Sequence, residues 1–246
     1  MTKPDHVLFF GTCLIDLVLP SAGLAGMRLI EREGVRVRFP QDQTCCGQPA
    51  YNAGEREEAR HVARHQLDVL SGEEPIVIPS ASCAGMFKVH YPRLLADTPD
   101  ADRARRLADR VVELCDFLDR VLAVRLTDRG PPVKVALHQS CSARREMKVA
   151  PAAARLLEQL SGVDIVEPDH AEECCGFGGT FAVKEPEISA AMASDKARSV
   201  AATGAPLLLS QECGCLTNLS GTAGHLKLGY ETRHIAEFLW ERTQHD

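Results

Sequence analysis

The stretch CCGQPAYNAG at residues 45–54 returns as CCGFGGTFAV at residues 174–183. A single cysteine, Cys13, stands ahead of the first cysteine pair with 31 residues between them, and Cys141 stands ahead of the second pair with 32. A pattern that returns at a fixed spacing marks a repeated structural unit. The chain is therefore predicted to be a tandem duplication with an offset of about 130 residues.

An apolar strand and a further cysteine follow each cysteine pair. PIVIPS precedes Cys83 in the first half, and PLLLS precedes Cys213 and Cys215 in the second. Each half shows the order strand, helix, strand, helix, strand, helix, which is typical of a parallel sheet with right-handed crossovers. We predict an α/β fold of two tandem repeats, each a small parallel sheet flanked by helices, related by internal pseudo-symmetry.

The boundary between the two halves is predicted at DRGPP, residues 128–132, because one glycine and two prolines break any helix there. The two predicted cysteine-rich domains are residues 1–128 and 133–246. A chain of 246 residues has the length for two such domains, and each can bury its own core.

The composition is that of an ordinary globular protein with an unusual use of cysteine. The net charge of −6 argues against general binding to the phosphate backbone of nucleic acids. Ten cysteines in 246 residues are too dilute for a disulfide scaffold. Adjacent cysteines such as Cys45 and Cys46, or Cys174 and Cys175, bridge each other poorly because the ring they close is strained. These thiols are therefore expected to bind a metal.

The apolar stretch VLFFGTCLIDLVLP at residues 7–20 imitates a secretory signal. Asp16 and Pro20 interrupt it, and the same strand-to-cysteine pattern occurs internally as VKVALHQSC at 133–141, where no signal peptide can lie. The stretch is also too broken to span a membrane. We expect a cytoplasmic protein without a transmembrane segment, in a compartment that keeps thiols reduced.

The cysteines are predicted to converge because the carboxyl ends of parallel strands meet at one edge of a sheet, where ligands bind. The predicted ligands are Cys13, Cys45, Cys46 and Cys83 in the first half and Cys141, Cys174, Cys175 and Cys215 in the second, with Cys213 as a further candidate. Four thiolates can hold zinc or an iron–sulfur cluster. The chain has no C-x-x-C pair of the kind that holds zinc, so an iron–sulfur cluster is favoured over a structural zinc module.

Six stretches carry a resemblance to a known family, and they span about residues 7–240. They are GTCLIDLVLP, FPQDQTCCGQPAYNAG, PSASCAGMFKVHYP, HQSCSARRE, ECCGFGGTFAVK and CGCLTNLSG. These stretches resemble the cysteine-rich CCG domain of heterodisulfide reductase, which also occurs in the iron–sulfur subunits of glycolate oxidase and anaerobic glycerol-3-phosphate dehydrogenase. The chain as a whole resembles the short lactate utilisation protein A family.

The resemblance implies an iron–sulfur subunit of a multi-subunit system that oxidises L-lactate to pyruvate by electron transfer. The implied partners are a larger ferredoxin-like iron–sulfur protein and a third lactate utilisation subunit. Such a chain is an oxidoreductase subunit that is not catalytic alone, and no catalytic residue is assigned to it. Electron transfer for glycolate or another 2-hydroxy acid, and cluster-based disulfide reduction, stay open as alternatives.

The chain departs from the heterodisulfide reductase pattern, which ends each repeat in C-x-x-C and gives five cysteines per site. Ser80 and Glu212 stand where the earlier of these two cysteines is expected. Four thiols satisfy an ordinary cluster, so we expect one [4Fe–4S]-type cluster per repeat, cubane or noncubane. Cys213 is the thiol that would make the second site five-coordinate, and Ser80 and Glu212 are alternative oxygen ligands.

Two other residues carry predictions of their own. Cys115 lies in the amphipathic stretch VVELCDFLDRVL and has no counterpart in the second half, so it is predicted to be a buried structural thiol. His138 stands three residues before Cys141 at a predicted strand end. Two interpretations of His138 stay open: a hydrogen bond to a cluster sulfur, or a core histidine whose nitrogens are paired within the protein.

Overall fold

A computed structural model describes residues 3–244 of the chain. The backbone divides into two compact units between Ala123 and Val124. Each unit contains one four-stranded sheet in which every pair of neighbouring strands is parallel. The predicted α/β fold of two repeats, each a small parallel sheet flanked by helices, is confirmed.

The sheet of the first unit has the strand order β2-β1-β3-β4. The strands are β1 (His6–Phe9), β2 (Arg36–Arg38), β3 (Ile76–Ile78) and β4 (Val111–Glu113). The helices are α1 (Cys13–Val18), α2 (Pro20–Arg32), α3 (Gln48–Asn52), α4 (Arg56–Val69), α5 (Ala81–Gly85), α6 (Tyr91–Leu94), α7 (Ala101–Arg110) and α8 (Leu114–Asp116), with π-helical turns at Met86–His90 and Phe117–Val121.

The sheet of the second unit repeats this arrangement with the order β6-β5-β7-β8. The strands are β5 (Val133–Leu137), β6 (Val163–Val166), β7 (Leu207–Ser210) and β8 (Glu231–His234). The helices are α9 (Ala150–Glu158), α10 (Phe181–Lys184), α11 (Pro186–Ala202), α12 (Cys213–Leu226) and α13 (Ile235–Thr243), with a π-helical turn at Ser142–Glu146.

The central strands are largely apolar, as is typical of parallel strands in a sheet flanked by helices. β3 is buried along its whole length, and so is β7. β1 and β5 pair with these strands, through Leu8 with Ile76 in the first unit and Val135 with Leu207 in the second. The carboxyl ends of β1 and β3, and those of β5 and β7, therefore lie side by side at one edge of their sheet.

Each sheet has a fourth strand that the sequence pattern did not predict. β4 is the three-residue VVE, and β8 is the largely polar ETRH. Neither segment is long or apolar enough to show the signal of a buried strand. Both lie directly before the amphipathic helices α8 and α13.

The structure divides the chain slightly earlier than the predicted boundary at residues 128–132. Asp128 lies with the second unit because the Arg242 guanidinium binds its carboxylate, with Nη2 2.6 Å from Oδ2. The backbone N–H groups of Gly130 and Gly162 also donate to this carboxylate, at 3.1 and 2.6 Å. These bonds attach the segment after Ala123 to the second unit.

Candidate metal centres

The four predicted ligands of the first unit lie together at the carboxyl edge of its sheet. Cys13 opens α1 directly after β1, and Cys83 lies on α5 directly after β3. The Cys46 and Cys83 sulfurs are 3.3 Å apart. The Cys45 thiol forms hydrogen bonds with both Cys13 and Cys46, which joins the four sulfurs into one group.

The four predicted ligands of the second unit show the same arrangement. Cys141 follows β5, and Cys215 lies in the first turn of α12 after β7. The Cys175 and Cys215 sulfurs are 2.8 Å apart. The Cys174 thiol forms hydrogen bonds with Cys141 and Cys175. The structure therefore brings all eight predicted ligands into two groups of four.

A left-handed glycine after each cysteine pair lets both sulfurs of the pair point into the site. Gly47 has φ of +83° and Gly176 has φ of +82°, a conformation that glycine adopts without steric cost. The N–H of Gly47 donates to the Cys45 sulfur, and that of Gly176 donates to the Cys174 sulfur, each at 3.4 Å. Backbone N–H groups aimed at sulfur stabilise the thiolate form and tune a metal bound to it.

Buried or half-buried polar side chains hold the backbone of each cysteine pair in place. In the first unit the Tyr91 hydroxyl donates to the carbonyl oxygen of Cys46 at 2.9 Å. Gln66 donates through Nε2 to the Thr44 hydroxyl at 2.7 Å. In the second unit Asn218 donates through Nδ2 to the carbonyl oxygen of Cys175 at 2.8 Å. These contacts fix the loop that carries each pair.

Neither Gln66 nor Asn218 was predicted from the sequence, although a signal for Gln66 exists. Gln66 and Lys196 are 130 residues apart, which is the offset of the repeat, and both side chains are buried on helices. Lys196 donates through Nζ to the carbonyl oxygens of His170 and Ala171, at 2.7 and 3.0 Å. A polar residue at the same buried position of both halves indicates a shared role in supporting the site.

The crowding of four thiols shapes their protonation. Hydrogen bonds from Cys13 and Cys46 lower the pKa of Cys45 to about 3. Hydrogen bonds from Cys141 and Cys175 lower the pKa of Cys174 to about 2. The Cys45 thiolate accepts hydrogen bonds from both neighbouring thiols. Hydrogen bonding to Cys45, and after it burial, raises the pKa of Cys13, and the pKa of Cys46 is raised as well. Four thiolates side by side need positive charge among them, and this donor set fits a metal cluster.

Each site lies between the core and the surface. Cys46 and Cys175 are buried, whereas Cys45 and Cys174 are partly exposed. A cleft of about 310 Å³ opens beside the first site, lined in part by Cys13, Cys45 and the largely exposed Leu17. The outer sulfurs of the first site are thus within reach of another molecule.

Cys213 and the two alternative oxygen ligands have local contacts of their own. The buried Cys213 sulfur lies 3.9 Å from the Thr217 hydroxyl, one turn along α12. The Ser80 hydroxyl lies 3.2 Å from that of Ser82. Glu212 is buried just before α12 and raises the pKa of Cys141 as a minor contributor, after hydrogen bonding to Cys174 and burial. A role for these three side chains as ligands stays a prediction.

His138 and Cys115 are both buried, with different surroundings. A ring nitrogen of His138 and the sulfurs of Cys175 and Cys215 all lie within 4.8 Å of one another. Burial, and after it the Lys196 ammonium, lower the pKa of His138 to about 3, so the ring is neutral. Cys115 contacts the buried Glu113 in the first unit, where burial raises the pKa of its thiol.

Comparisons with known proteins extend over nearly the whole chain. The family model of the CCG cysteine-rich domain matches twice, at residues 7–88 and 135–220. Lactate utilization protein A of Shouchella clausii is 40% identical over 235 residues, which cover 95% of this chain and 98% of that protein. The chain belongs to the lactate utilization protein A family. Family members from Bacillus subtilis and Bacillus cytotoxicus are 40% and 41% identical, over 96% of this chain and 99% of each relative.

A solved structure shows the same fold at low sequence identity. The crystal structure of a hypothetical protein from Helicobacter pylori aligns with all of this chain at a TM-score of 0.70 and 11% identity. The chain spans 50% of the length of that protein. Among residues 3–244 of this family member, no helix has both the length and the apolar composition that a membrane crossing needs.

Proposed function

We propose that the chain is the iron–sulfur subunit of a multi-subunit system that oxidises L-lactate to pyruvate, with electron transfer as its task. The observation that carries the proposal is the duplicated group of four converging cysteines at a sheet edge. The substrate is inferred from relatives named lactate utilization protein A, which match 95–96% of the chain at 40% identity.

Each unit would hold one [4Fe–4S]-type cluster through its four cysteines, and a bound cluster supplies a reversible one-electron carrier. The ligands would be Cys13, Cys45, Cys46 and Cys83 in the first unit and Cys141, Cys174, Cys175 and Cys215 in the second. The N–H groups of Gly47 and Gly176 stabilise negative charge on the sulfurs that they contact.

The burial of the sites supports a role in exchange with partners. The inner cysteines, Cys46 and Cys175, are shielded from water, which protects a metal–sulfur bond. The outer cysteines, Cys45 and Cys174, are partly exposed, so a redox partner can approach closely. The partners would be a larger ferredoxin-like iron–sulfur protein and a third lactate utilisation subunit, in the cytoplasm, where thiols stay reduced.

Growth on L-lactate tests the proposed function. A strain of the source organism that lacks the gene is complemented with the wild-type chain, with Cys46→Ser, or with the control Cys115→Ser. The wild type and the control are expected to restore growth on L-lactate, and Cys46→Ser is expected to fail, while all strains grow on pyruvate. Growth of the deletion strain on L-lactate would contradict the proposal. A growth defect confined to glycolate would show that the substrate is glycolate and not L-lactate.

A further inference from the structure

The imidazole of His138 is buried and has no hydrogen-bond partner within the part of the chain that the structure describes. His138 directly follows β5, and its backbone N–H donates to the carbonyl oxygen of Leu209 at 2.8 Å. Its side chain is 1% exposed, and among the described residues neither Nδ1 nor Nε2 has a hydrogen-bond partner. A buried donor without an acceptor destabilises the folded protein, because it loses its hydrogen bonds to water and gains none in return. This excludes a core histidine whose nitrogens are paired within the protein.

The sulfurs of Cys175 and Cys215 lie close to this ring. One ring nitrogen and both sulfurs lie within 4.8 Å of one another. The two cysteines otherwise belong to an apolar cluster with Ala136 and Leu208. The other charged groups that act on the ring are the Cys174 sulfur and the cations of Lys196 and Arg144, and these cations cannot accept a hydrogen bond. Thiolate sulfur does accept hydrogen bonds, so the ring N–H is left with the sulfurs of the site as acceptors.

We propose that His138 donates a hydrogen bond to sulfur at the second metal centre and thereby raises the reduction potential of that centre above that of the first. The inference rests on the proposed iron–sulfur function. Hydrogen bonds to the sulfurs of a cluster favour the reduced, more negative state. His138 acts through the ligands Cys175 and Cys215, so it is a positioning and tuning residue and not a catalytic one.

The absence of an orienting partner distinguishes a donor from a ligand at His138. A histidine that ligates a metal through one nitrogen almost always donates its other N–H to a carboxylate, a carbonyl or water. Both nitrogens of His138 lack such a partner in residues 3–244. If one nitrogen bound iron, the N–H on the other would stay buried and unpaired. Donation to sulfur satisfies the N–H and leaves only an acceptor lone pair without a partner, which is less unusual.

The first unit has no donor at the equivalent place. Phe10 stands three residues before Cys13, as His138 stands before Cys141. The N–H of Phe10 donates to Val77 across the sheet at 3.0 Å, which matches the bond from His138 to Leu209. The phenyl ring of Phe10 packs edge-on against Phe87, with centroids 4.8 Å apart. The first centre therefore lacks this hydrogen bond.

The test combines ¹⁵N-histidine labelling with a redox titration of the full chain purified without oxygen. Pulsed electron paramagnetic resonance of the reduced wild type is expected to show a weak ¹⁵N coupling at one cluster signal. Cys174→Ser, which removes a cysteine of the second site, is expected to lack this signal. His138→Phe, which installs the residue of the first unit, is expected to keep its iron and lose the coupling. The same variant is expected to lower the equilibrium constant for reduction of the cluster that gives this signal about tenfold. This corresponds to a reduction potential that is lower by about 59 mV for one electron. His61→Gln, at an exposed histidine, is the control.

The outcomes separate this inference from the proposed function. A wild-type chain without iron and sulfide would overturn the iron–sulfur function itself. An iron-loaded wild type with no ¹⁵N coupling would overturn the His138 inference alone, and this result needs no variant to fold. A strong coupling, with iron lost in both His138→Phe and His138→Gln, would make His138 a ligand and contradict the donor role. An unchanged potential in an iron-loaded His138→Phe would contradict the tuning role.

Discussion

Phe10 and Gln66 in the first unit stand where His138 and Lys196 stand in the second. All four side chains are buried, and in both units the four cysteines are held at the same strand ends with the same left-handed glycine. A neutral amide thus lies beside the first site, whereas an imidazole and an amine lie beside the second. The position of the imidazole is taken by a phenylalanine in the first unit. The duplication retains the four cysteines and changes their surroundings, so we expect two similar centres with different electronic properties.

The largest expected effect comes from removing one inner cysteine. Cys175→Ser should lose the cluster of the second unit and retain that of the first, because each unit has its own four sulfurs. The iron content is expected to fall by about half, measured by iron and sulfide analysis after anaerobic purification. Cys46→Ser should remove the other half. Cys115→Ser, at a buried cysteine outside both groups, should keep the full iron content.

The two left-handed glycines should respond unequally to alanine. An added Cβ at Gly176 would lie 2.6 Å from the backbone oxygen of Ser189, whereas at Gly47 it would meet the side chain of Val62 at 3.3 Å. Gly47→Ala is expected to cost about 1–2 kcal/mol for the left-handed backbone alone. Gly176→Ala should cost more, because a backbone atom cannot move aside. Denaturant unfolding of both variants checks this, and equal losses would contradict the difference in packing.

The first unit carries a buried acid that gives it a pH dependence. Burial raises the pKa of Glu113 to about 8 from its ordinary value of 4.5, so the folded protein holds this proton between those pH values and the unfolded chain does not. The free energy of unfolding should therefore fall as the pH rises through this window, by up to about 1.4 kcal/mol per pH unit.

Glu113→Gln isolates this contribution because it retains an acceptor for the N–H of Asp116, which Glu113 holds at 3.1 Å. The difference in unfolding free energy between the variant and the wild type should grow in favour of the variant from pH 5 to pH 8. Denaturant titrations at both pH values measure it. A difference that stays constant would show that Glu113 does not titrate in this window.

The smallest expected effect concerns Lys196. Lys196→Gln installs the residue of the first unit and removes a buried amine near Cys175. Burial lowers the pKa of Lys196, and the negative charge of the Cys175 thiolate opposes this shift. The potential of the second centre is expected to fall by less than in His138→Phe, because Lys196 bonds to two carbonyl oxygens and not to sulfur. Lys184→Gln, at an exposed lysine, is the matched control. A rise in potential would contradict this role of the amine.

The repeat made much of the fold and both cysteine groups predictable from the sequence. The apolar strands before Cys83 and Cys215 place these residues at strand ends, and parallel strands bring such ends together. The strands β4 and β8 escaped prediction because VVE and ETRH are too short or too polar for a periodic signal. The hydrogen bonding of the His138 ring depends on which acceptors lie around it. Those acceptors are set by the packing of the folded chain and cannot be read from the local sequence.

The central claim is that each unit holds one [4Fe–4S]-type cluster, and metal analysis of the chain purified without oxygen tests it most directly. Iron, acid-labile sulfide and zinc are measured per chain, together with the visible spectrum before and after reduction. We expect about eight irons and about eight sulfides, little zinc, and a colour that bleaches on reduction. Stoichiometric zinc in a colourless protein without sulfide would contradict the claim.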